Sequence, residues 1–385
     1  MVELKIKIYK IDNKIKIAMA MLVIKTFLSF TTIFTYSDLA DSGLAFFASL
    51  LFVLSIIEKK YSKKTLLMYG VIGILGLYSS IQVGNVGFLV TIISCFAIRE
   101  ENIDDIIKYL YQLESFLLVA TMVSALIMAL IGMQSIATVI SGELRYNFGF
   151  THPNTFSMML FNVILLWVYI HYEKINKKCI GLIFGVSVVA YWFTKTRTFL
   201  LDIICLIIML LLTEGRGKKH NIISIIARFI TPVLAGATYG LAFLYVSGNS
   251  IAIMVDNFLS YRIRLVAYGL MHYGISVFGQ NLSNINVIYD QYWGLNSFTF
   301  DNIYAYFLTN IGIIWLVTVC VCFYFLAKKE NIKVAIFIIV WALYGMTEVH
   351  GISCYECFPI LMCTMLLKEQ KKGGNQDGKY YCTNL

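Results

Sequence analysis

The chain has 385 residues, of which 59% are hydrophobic and only 14% are charged, and its mean hydropathy is +0.76. Soluble domains average about 45–50% apolar and about 25% charged residues. The composition therefore excludes an ordinary soluble domain and predicts an integral membrane protein built of helices. The net charge of +9 does not indicate a nucleic-acid partner, because the lysines of membrane proteins collect in cytoplasmic loops.

Twelve apolar segments follow one another along the chain, and several are shorter than the roughly 20 residues that a perpendicular span needs. We predict an all-α, polytopic helical bundle of about 10–12 transmembrane helices, in a single membrane domain over residues 1–385. The charged start MVELKIKIYKIDNKIK does not resemble a cleaved signal peptide, so the first apolar segment is expected to be a retained anchor. The segments cover approximately residues 17–36, 43–57, 65–79, 83–98, 115–133, 155–172, 179–194, 198–213, 222–246, 303–327, 334–347 and 353–367.

The distribution of basic residues predicts the orientation. If the N-terminus is inside, the inner loops and termini carry 24 of the 31 lysines and arginines, and the outer loops carry five. Inner and outer loops then alternate without a contradiction, as the positive-inside rule requires. Both termini, including a tail at 368–385, are therefore predicted to be cytoplasmic.

The outer loops use arginine where the inner loops use lysine. Only Arg99 and Arg216 are arginines among the 24 inner basic residues, against four of the five outer ones. A guanidinium holds phosphate oxygens in pairs, which an ammonium cannot do. We therefore predict an anion site at the outer membrane boundary, with pairing to Glu143, Asp256 or Asp301, or contact with lipid headgroups, as the alternative. The outer basic residues are Arg145, Lys195, Arg197, Arg262 and Arg264.

Two short outer motifs carry several of these residues. RYNFGFTHPNTFS precedes the sixth segment, where Asn154 or Thr155 is expected to cap a helix and its positive dipole end favours an anion beside Arg145 and His152. TKTRT makes a tight turn between the seventh and eighth segments. The charges of Lys195 and Arg197 must then lie at the headgroup plane, where a ligand phosphate and a lipid headgroup are both natural partners.

One outer loop, from about 247 to 302, is long, and long ordered loops are usually functional. Its first half, 251–277, has apolar residues at helical spacing and predicts an amphipathic helix in the interface. Arg262 and Arg264 are two positions apart and cannot share one helix face. Only one of these two arginines is therefore expected to face a ligand.

The second half of this loop reads YDQYWGLN, in which Tyr289, Tyr292 and Trp293 are flat amphipathic rings beside polar groups. Such a mixture suits sugars, whose ring faces stack on aromatic rings; the alternative is an aromatic belt at the interface. The residues predicted to bind substrate are His152, Asn154, Asn302, Tyr289, Tyr292 and Trp293.

Three titratable residues at the outer edge are candidates for acid–base catalysis: Asp301, Glu348 and His350. Asp301 has a second interpretation as the N-cap of the following helix. Cys354 and Cys357 form a CxxC, but no second pair or histidine cluster completes a metal site.

Taken together, these motifs resemble the bacterial superfamily of O-antigen and capsule polymerases and O-antigen ligases. The matching pieces are RYNFGFTHPNTFS after the fifth span, TKTRT, SYRIR near the start of the long loop and DNIYAYFLTNIG at its end. Their order and the predicted topology fit along most of the chain.

The resemblance implies a glycosyltransferase of the bacterial cytoplasmic membrane that acts at the outer face. Its donor and acceptor would be glycans linked to undecaprenyl diphosphate, with no cofactor, no nucleotide sugar and, in the ligase branch, no metal. Arg197 and Arg262 would hold the diphosphate. Asp301 stands where ligases tend to have a histidine, which favours a polymerase over a ligase.

Three alternatives remain at this point: a ligase-type transferase to another acceptor, a flippase or transporter of lipid-linked sugars, and a structural or sensory membrane protein, which would leave the outer arginines unexplained. The expected partners are the lipid-linked glycans, membrane lipid, a chain-length regulator and a flippase, and no nucleic acid.

Overall fold

The computed structural model describes residues 11–140, 142–213, 219–259, 261–282, 293, 298–329 and 331–368. Within these residues the chain is predominantly helical, as predicted, with one antiparallel hairpin of strands β1 (Ala137–Ile140) and β2 (Glu143–Tyr146). The α-helices are α1 (Asn13–Phe30), α2 (Asp38–Ile57), α3 (Lys63–Val83), α4 (Gly87–Ile98), α5 (Ile103–Leu130), α6 (Pro153–His171), α7 (Lys177–Thr194), α8 (Arg197–Thr213), α9 (Lys219–Val246), α10 (Ser250–Phe258), α11 (Arg262–Tyr273), α12 (Ile303–Tyr306), α13 (Ile313–Lys329), α14 (Ile332–Tyr344) and α15 (Thr364–Leu367).

Six of the described helices are long and apolar enough to cross a membrane: α2, α3, α5, α6, α7 and α9. Helix α7 shows how they face their surroundings. It buries one stripe formed by Ile183, Ser187, Ala190 and Thr194, while apolar side chains elsewhere on it, such as Leu182 at 64% exposure, point outward. A helix that exposes apolar side chains round most of its circumference needs apolar surroundings. These helices indicate a membrane protein.

Local sequence explains where several helices begin and end. The side chain of Ser37 caps α2, and that of Asn176 accepts hydrogen bonds from two backbone N–H groups at the start of α7. Gly84 has a φ of +71° and ends α3 in the left-handed conformation that glycine adopts easily. The apolar segments at 65–79 and 83–98 therefore form two separate helices, α3 and α4.

Helix α14 lies at the centre of the bundle, whereas α9 contacts several helices on one side and exposes most of its apolar surface. Helix α9 packs against α11, α13 and α14, and α14 also packs against α8. Helix α14 is buried along most of its length, with Phe337 and Trp341 fully inaccessible. The chain that leaves the C-terminal end of α14 is therefore placed among the ends of neighbouring helices.

Two of the predicted spans are not continuous α-helices. The segment 303–327 consists of α12, a π-helical turn over Phe307–Ile311, Gly312 and α13. At Gly312 φ is +113°, and a Cβ atom would lie 2.6 Å from the carbonyl oxygen of Val277. The loop around Val277 thus occupies the space that a regular helix would need.

The segment 353–367 forms a 3₁₀ helix over Phe358–Cys363, followed by α15, and is almost entirely buried. Pro359 lies at the start of this 3₁₀ helix and removes one backbone donor. The count of ten to twelve membrane-spanning helices stays a prediction.

The described part of the long loop is folded onto the bundle. A single interfacial helix over 251–277 was a wrong prediction, because the chain forms α10 and α11, separated at Tyr261, which has a φ of +69°. Helix α11 packs against α9. Tyr289 and Tyr292 lie outside the described residues, as do residues 369–385 of the predicted tail.

Candidate functional site

The start of α6 is capped by His152, whose Nδ1 accepts a hydrogen bond from the backbone N–H of Asn154 at 3.1 Å. The prediction that Asn154 or Thr155 is the cap was wrong, because the extended backbone of His152 brings its ring over the first turn. Burial and the charge of Arg145 lower the pKa of His152, against the opposing charge of Asp301. The ring is therefore neutral near pH 7, and because Nδ1 accepts, its proton is on Nε2.

The TKTRT turn is held against this helix start. Lys195 ends α7 with a φ of +55°, and its Nζ lies 4.3 Å from the centre of the Trp192 ring. The hydroxyl of Thr196 donates to Oδ1 of Asn154 at 3.1 Å. Arg197 begins α8 and is exposed, and it forms no hydrogen bond or ion pair with any described residue. It is the basic residue of this turn that remains free for an anion.

Arg262 is buried at the start of α11 and joins three helix ends. Its Nη2 donates to the carboxylate of Glu348 at 3.2 Å, and its Nη1 donates to the carbonyl of Asp301 at 3.4 Å. Burying an unpaired charge costs several kcal/mol, so the buried guanidinium of Arg262 needs the carboxylate of Glu348 as its counter-ion. Burial raises the pKa of Glu348, although the charge of Arg262 opposes this shift.

The other outer arginines have protein partners. Arg264 lies 4.7 Å from the centre of the Tyr261 ring, and its backbone N–H donates to the carboxylate of Asp256. Arg145 forms an ion pair with Glu143 across 3.1 Å, next to the hairpin turn. Arg262 and Arg264 thus face different surroundings, as expected from their spacing. The predicted alternative of pairing with a carboxylate holds for Arg145 and Glu143, whereas Asp256 binds the backbone N–H of Arg264 and not its guanidinium.

The cap of α12 is Asn302 and not Asp301. The Asn302 Oδ1 accepts from the backbone N–H groups of Tyr304 and Ala305, and its Nδ2 donates to the carbonyl of Met346. Asn302 is 3% exposed, so its expected contact with substrate gives way to this structural role. The carboxylate of Asp301 is half-buried and makes no hydrogen bond or ion pair with any described residue.

His350 follows α14 at the same end of the bundle. Its Nδ1 lies 2.9 Å from Oε2 of Glu356, and its ring meets the ring of Phe30 edge-on. Burial acts against the charged imidazole, but the hydrogen bond and charge of Glu356, with the charges of Glu348 and Asp301, together raise the pKa of His350. The carboxylate partner thus favours the charged imidazole of His350, the form that can donate a proton.

A narrow cleft opens between α6, α8 and α14, on one side of the Arg262–Glu348 ion pair. It contains Asp202, which is 4% exposed and which our reading of the sequence missed. The available signal was a single carboxylate five residues into an apolar helix, a position where charge is expensive and usually functional. The polar residues that line the cleft are Asn154, Ser157, Thr196, Thr198, Asp202, Tyr344 and Glu348.

Trp293 does not present an open face to a sugar. Its indole is 9% exposed, packs edge-on against Tyr268 at 5.7 Å and stacks on Tyr245 at 6.3 Å. This cluster covers the contact between α9 and α11, so Trp293 stabilises the loop rather than lining a binding surface. The predicted contacts of Tyr289 and Tyr292 fall outside the described residues.

A second missed carboxylate is Glu114, which is completely buried within α5. Asn162 donates to its Oε2 at 2.7 Å, while its Oε1 has no hydrogen-bond partner in the described part of the chain. Asn162 in turn accepts from the backbone N–H of Phe358, at the start of the 3₁₀ helix. A polar path thus runs from α5 to the irregular C-terminal segment.

Asp301 is the centre of the arrangement. Its charge acts on Arg262, Glu348, His350 and His152, which come from three separate parts of the chain. The starts of α6, α8 and α12 and the end of α14 therefore meet in one place, as the predicted topology requires of ends on the same side.

The three arginines expected to hold one anion are placed differently. Arg262 is buried within the site, Arg145 is near His152, and Arg197 is exposed between Thr196 and Thr198, which line the cleft. The three guanidinium groups do not line one common pocket in this structure. Arg262 is buried and paired with Glu348, whereas Arg197 has no partner among the described residues.

No family model, no curated protein and no solved structure matches the chain.

Proposed function

We propose that this protein is a polytopic glycosyltransferase of the bacterial cytoplasmic membrane that polymerises oligosaccharide repeats carried on undecaprenyl diphosphate. Both termini are cytoplasmic, and the site around Arg262 and Asp301 lies at the outer face. We assign the diphosphate of the donor to Arg197 and Arg262, whose guanidinium groups line no common pocket in the described part of the chain, and no cofactor takes part.

The observation that carries this proposal is the buried Arg262 between Glu348 and Asp301, at the end of the bundle where Arg197 is free. A guanidinium fixed by two acceptors keeps its remaining N–H groups in a defined direction. Charge develops on a leaving diphosphate, and preorganised donors stabilise such charge most in the transition state.

In the proposed reaction, the free end of one lipid-linked repeat attacks the anomeric carbon of the growing chain. The acceptor hydroxyl forms the new C–O bond and passes its proton to Asp301, whose carboxylate has no protein partner among the described residues. The bond from the anomeric carbon to the diphosphate breaks, and its electron pair leaves with the diphosphate. Glu348 is committed to Arg262, and the charged His350 balances the surrounding carboxylates.

The first experiment replaces Arg197 by lysine, which keeps the charge but loses the paired N–H donors. We expect a large loss of polymer with normal amounts of inserted protein. The matched control is Arg264→Lys, the same exchange at an arginine that packs on Tyr261. Polymer of unchanged length in cells that carry Arg197→Lys would argue strongly against the assignment.

Purified protein incubated with lipid-linked repeats separates the function classes. A ladder of products supports the polymerase, and transfer only to a different acceptor would identify the ligase branch instead. Absence of any new glycosidic bond would remove both enzymes from consideration.

A transporter of lipid-linked sugars is a second candidate, because Glu114 and Asp202 are buried within helices. Carboxylates at such positions mark proton or substrate paths in many transporters. In proteoliposomes, a transporter would move lipid-linked sugar across the bilayer and would lose this activity in Glu114→Gln. The polymerase predicts ladder formation that Glu114→Gln leaves intact.

A further inference from the structure

The cleft beside the Arg262–Glu348 ion pair contains a carboxyl group that the fold leaves without a partner. Asp202 is 4% exposed, and it makes no hydrogen bond or ion pair with any other described residue. Burying a polar group without a hydrogen bond costs several kcal/mol, and more for a charge. Asp202 therefore needs a hydrogen-bond donor that enters the cleft from outside.

The depth of Asp202 allows such a donor to arrive. It lies five residues after Arg197, so a rise of 1.5 Å per residue places it about 7–8 Å below the exposed start of α8. The cleft that leads to it is lined by the side chains of Thr196 and Asn154 nearer the helix starts. A hydroxyl group on the end of a larger ligand can reach this position while the rest of the ligand stays outside.

The walls of the cleft offer both donors and acceptors. Thr196 donates its hydroxyl proton to Asn154, so its oxygen remains as an acceptor, whereas the hydroxyl of Ser157 is engaged with Pro153 and Thr194. The Nδ2 of Asn154 has no partner in the described part of the chain, which leaves it as a donor. Such alternation suits hydroxyl groups, which donate and accept at once.

The cleft offers no free charge to an ion. A carboxyl group buried without a partner, such as that of Asp202, is neutral, and Glu348 is already paired with Arg262. A neutral ligand with several hydroxyl groups needs no counter-ion there. The structure therefore favours a saccharide over a phosphate or a metal ion at this position.

We infer that this cleft receives one hydroxyl group of the terminal sugar of the acceptor glycan, which donates a hydrogen bond to Asp202, while the rest of the sugar stays outside. This inference rests on the proposed polymerase function and adds an acceptor subsite to it. Asp202 lines the same cleft as Glu348, and the backbone carbonyl of Asp301 accepts from Arg262, so both aspartates lie near the Arg262–Glu348 pair. Asp202 anchors the acceptor sugar, and Asp301 takes the proton of the attacking hydroxyl.

The test uses two different molecules as acceptor and donor, so the KM of each can be measured separately. A repeat oligosaccharide released from its lipid has no diphosphate, so it can act only as an acceptor, while the intact lipid-linked repeat supplies the donor. We measure transfer to the labelled, released oligosaccharide at varied concentrations, with wild type and Asp202→Asn. The KM for the released acceptor is expected to rise about twofold to tenfold, as for a lost hydrogen bond to a neutral group, with the KM for the donor little changed.

Two variants make the result specific. Glu114→Gln neutralises another buried carboxyl outside the cleft and should leave the acceptor KM unchanged. Thr196→Val removes a hydroxyl from the cleft wall and should raise the same KM in a protein that keeps its carboxylate. An unchanged acceptor KM in Asp202→Asn, or an equal rise in the KM for donor and acceptor, would overturn the inference.

Binding of the released oligosaccharide by equilibrium dialysis distinguishes this failure from failure of the proposed function. If wild type forms no polymer but binds the oligosaccharide, and Asp202→Asn does not, the subsite stands and the polymerase proposal falls. If wild type forms polymer and Asp202→Asn matches it in both binding and KM, the function stands and the subsite falls.

Discussion

The guanidinium of Arg262 makes two contacts that a lysine cannot make together. One nitrogen holds the carboxylate of Glu348, and another reaches the carbonyl of Asp301, in front of α12. A lysine ammonium retains an ion pair with Glu348 but presents a single nitrogen, so the link to Asp301 is lost.

We therefore predict that Arg262→Lys lowers the rate of polymer formation about tenfold to a hundredfold, the range for a lost charge-assisted hydrogen bond. The protein should still be inserted and should unfold near the wild-type temperature, because Glu348 keeps a counter-ion. The initial rate of ladder formation from lipid-linked repeats checks this, with Arg264→Lys as the control. A wild-type rate in Arg262→Lys would show that the second contact of the guanidinium, with the carbonyl of Asp301, has no role in turnover.

The environment of His350 predicts how stability changes with pH. Glu356, Glu348 and Asp301 face it and raise its pKa above the ordinary value of 6.5, although burial opposes this shift. A group with a raised folded-state pKa stabilises the fold fully below its unfolded pKa, and this stabilisation is lost as pH rises through the folded-state value. The stability advantage of wild type over His350→Asn should therefore be larger at about pH 6 than at about pH 9.

Thermal unfolding of the two proteins in detergent at both pH values measures this difference. Asp105→Asn is a suitable control, because Asp105 is paired with Lys108 away from this cluster. A difference between wild type and His350→Asn that grows with pH would contradict the raised pKa.

The short helix α12 depends on its cap more than a long helix does. Asn302 satisfies two backbone N–H groups of a four-residue helix and ties it to the carbonyl of Met346. The neighbouring Asp301 offers its carboxylate to no described residue. Asn302 therefore stabilises α12, whereas Asp301 is left for the proton transfer that we propose.

This division predicts opposite outcomes for two neighbouring substitutions. Asn302→Ala should lower the free energy of unfolding by about 1–2 kcal/mol, the usual cost of a lost cap. Asp301→Asn should leave stability close to wild type and abolish most of the polymer-forming activity. Unfolding temperature and ladder formation, measured for both variants, check this. Strong destabilisation by Asp301→Asn alone would return Asp301 to the role of a structural cap.

The same pair illustrates which features of an element can be predicted from sequence. Helix positions followed from apolar runs, so α6, α7 and α8 lie close to their predicted bounds. The identity of the caps did not follow, because Asp301 and Asn302 are both good caps and only the backbone path selects between them. The break at Gly312 was also hidden, since it depends on the contact with the distant Val277.

At the scale of the whole molecule, the sequence predicted which residues lie near the same face but not which of them touch. Alternating loop charges placed His152, Asp301, Glu348 and His350 on one side, and in the structure their charges act on one another. The sequence did not predict Asp202 as a site residue, because the predicted site residues lie in loops and at helix ends and Asp202 lies inside an apolar helix. Its place beside Glu348 depends on how α8 packs against α14, which no local pattern reveals.

The proposed orientation of the bundle makes a prediction that does not depend on any enzyme assay. The hairpin turn at Gly142 and the exposed Gly248 lie in loops assigned to the outer side, whereas Lys60 and Asn176 lie in loops rich in lysine that the positive-inside rule places in the cytoplasm. A short epitope inserted after Gly142 or Gly248 should be labelled by antibody in intact spheroplasts. The same epitope after Lys60 or Asn176 should be labelled only after permeabilisation. Reversed labelling would put Arg197, Arg262 and Asp301 on the cytoplasmic side, where lipid-linked repeats are assembled rather than polymerised, and the proposed function would then be untenable.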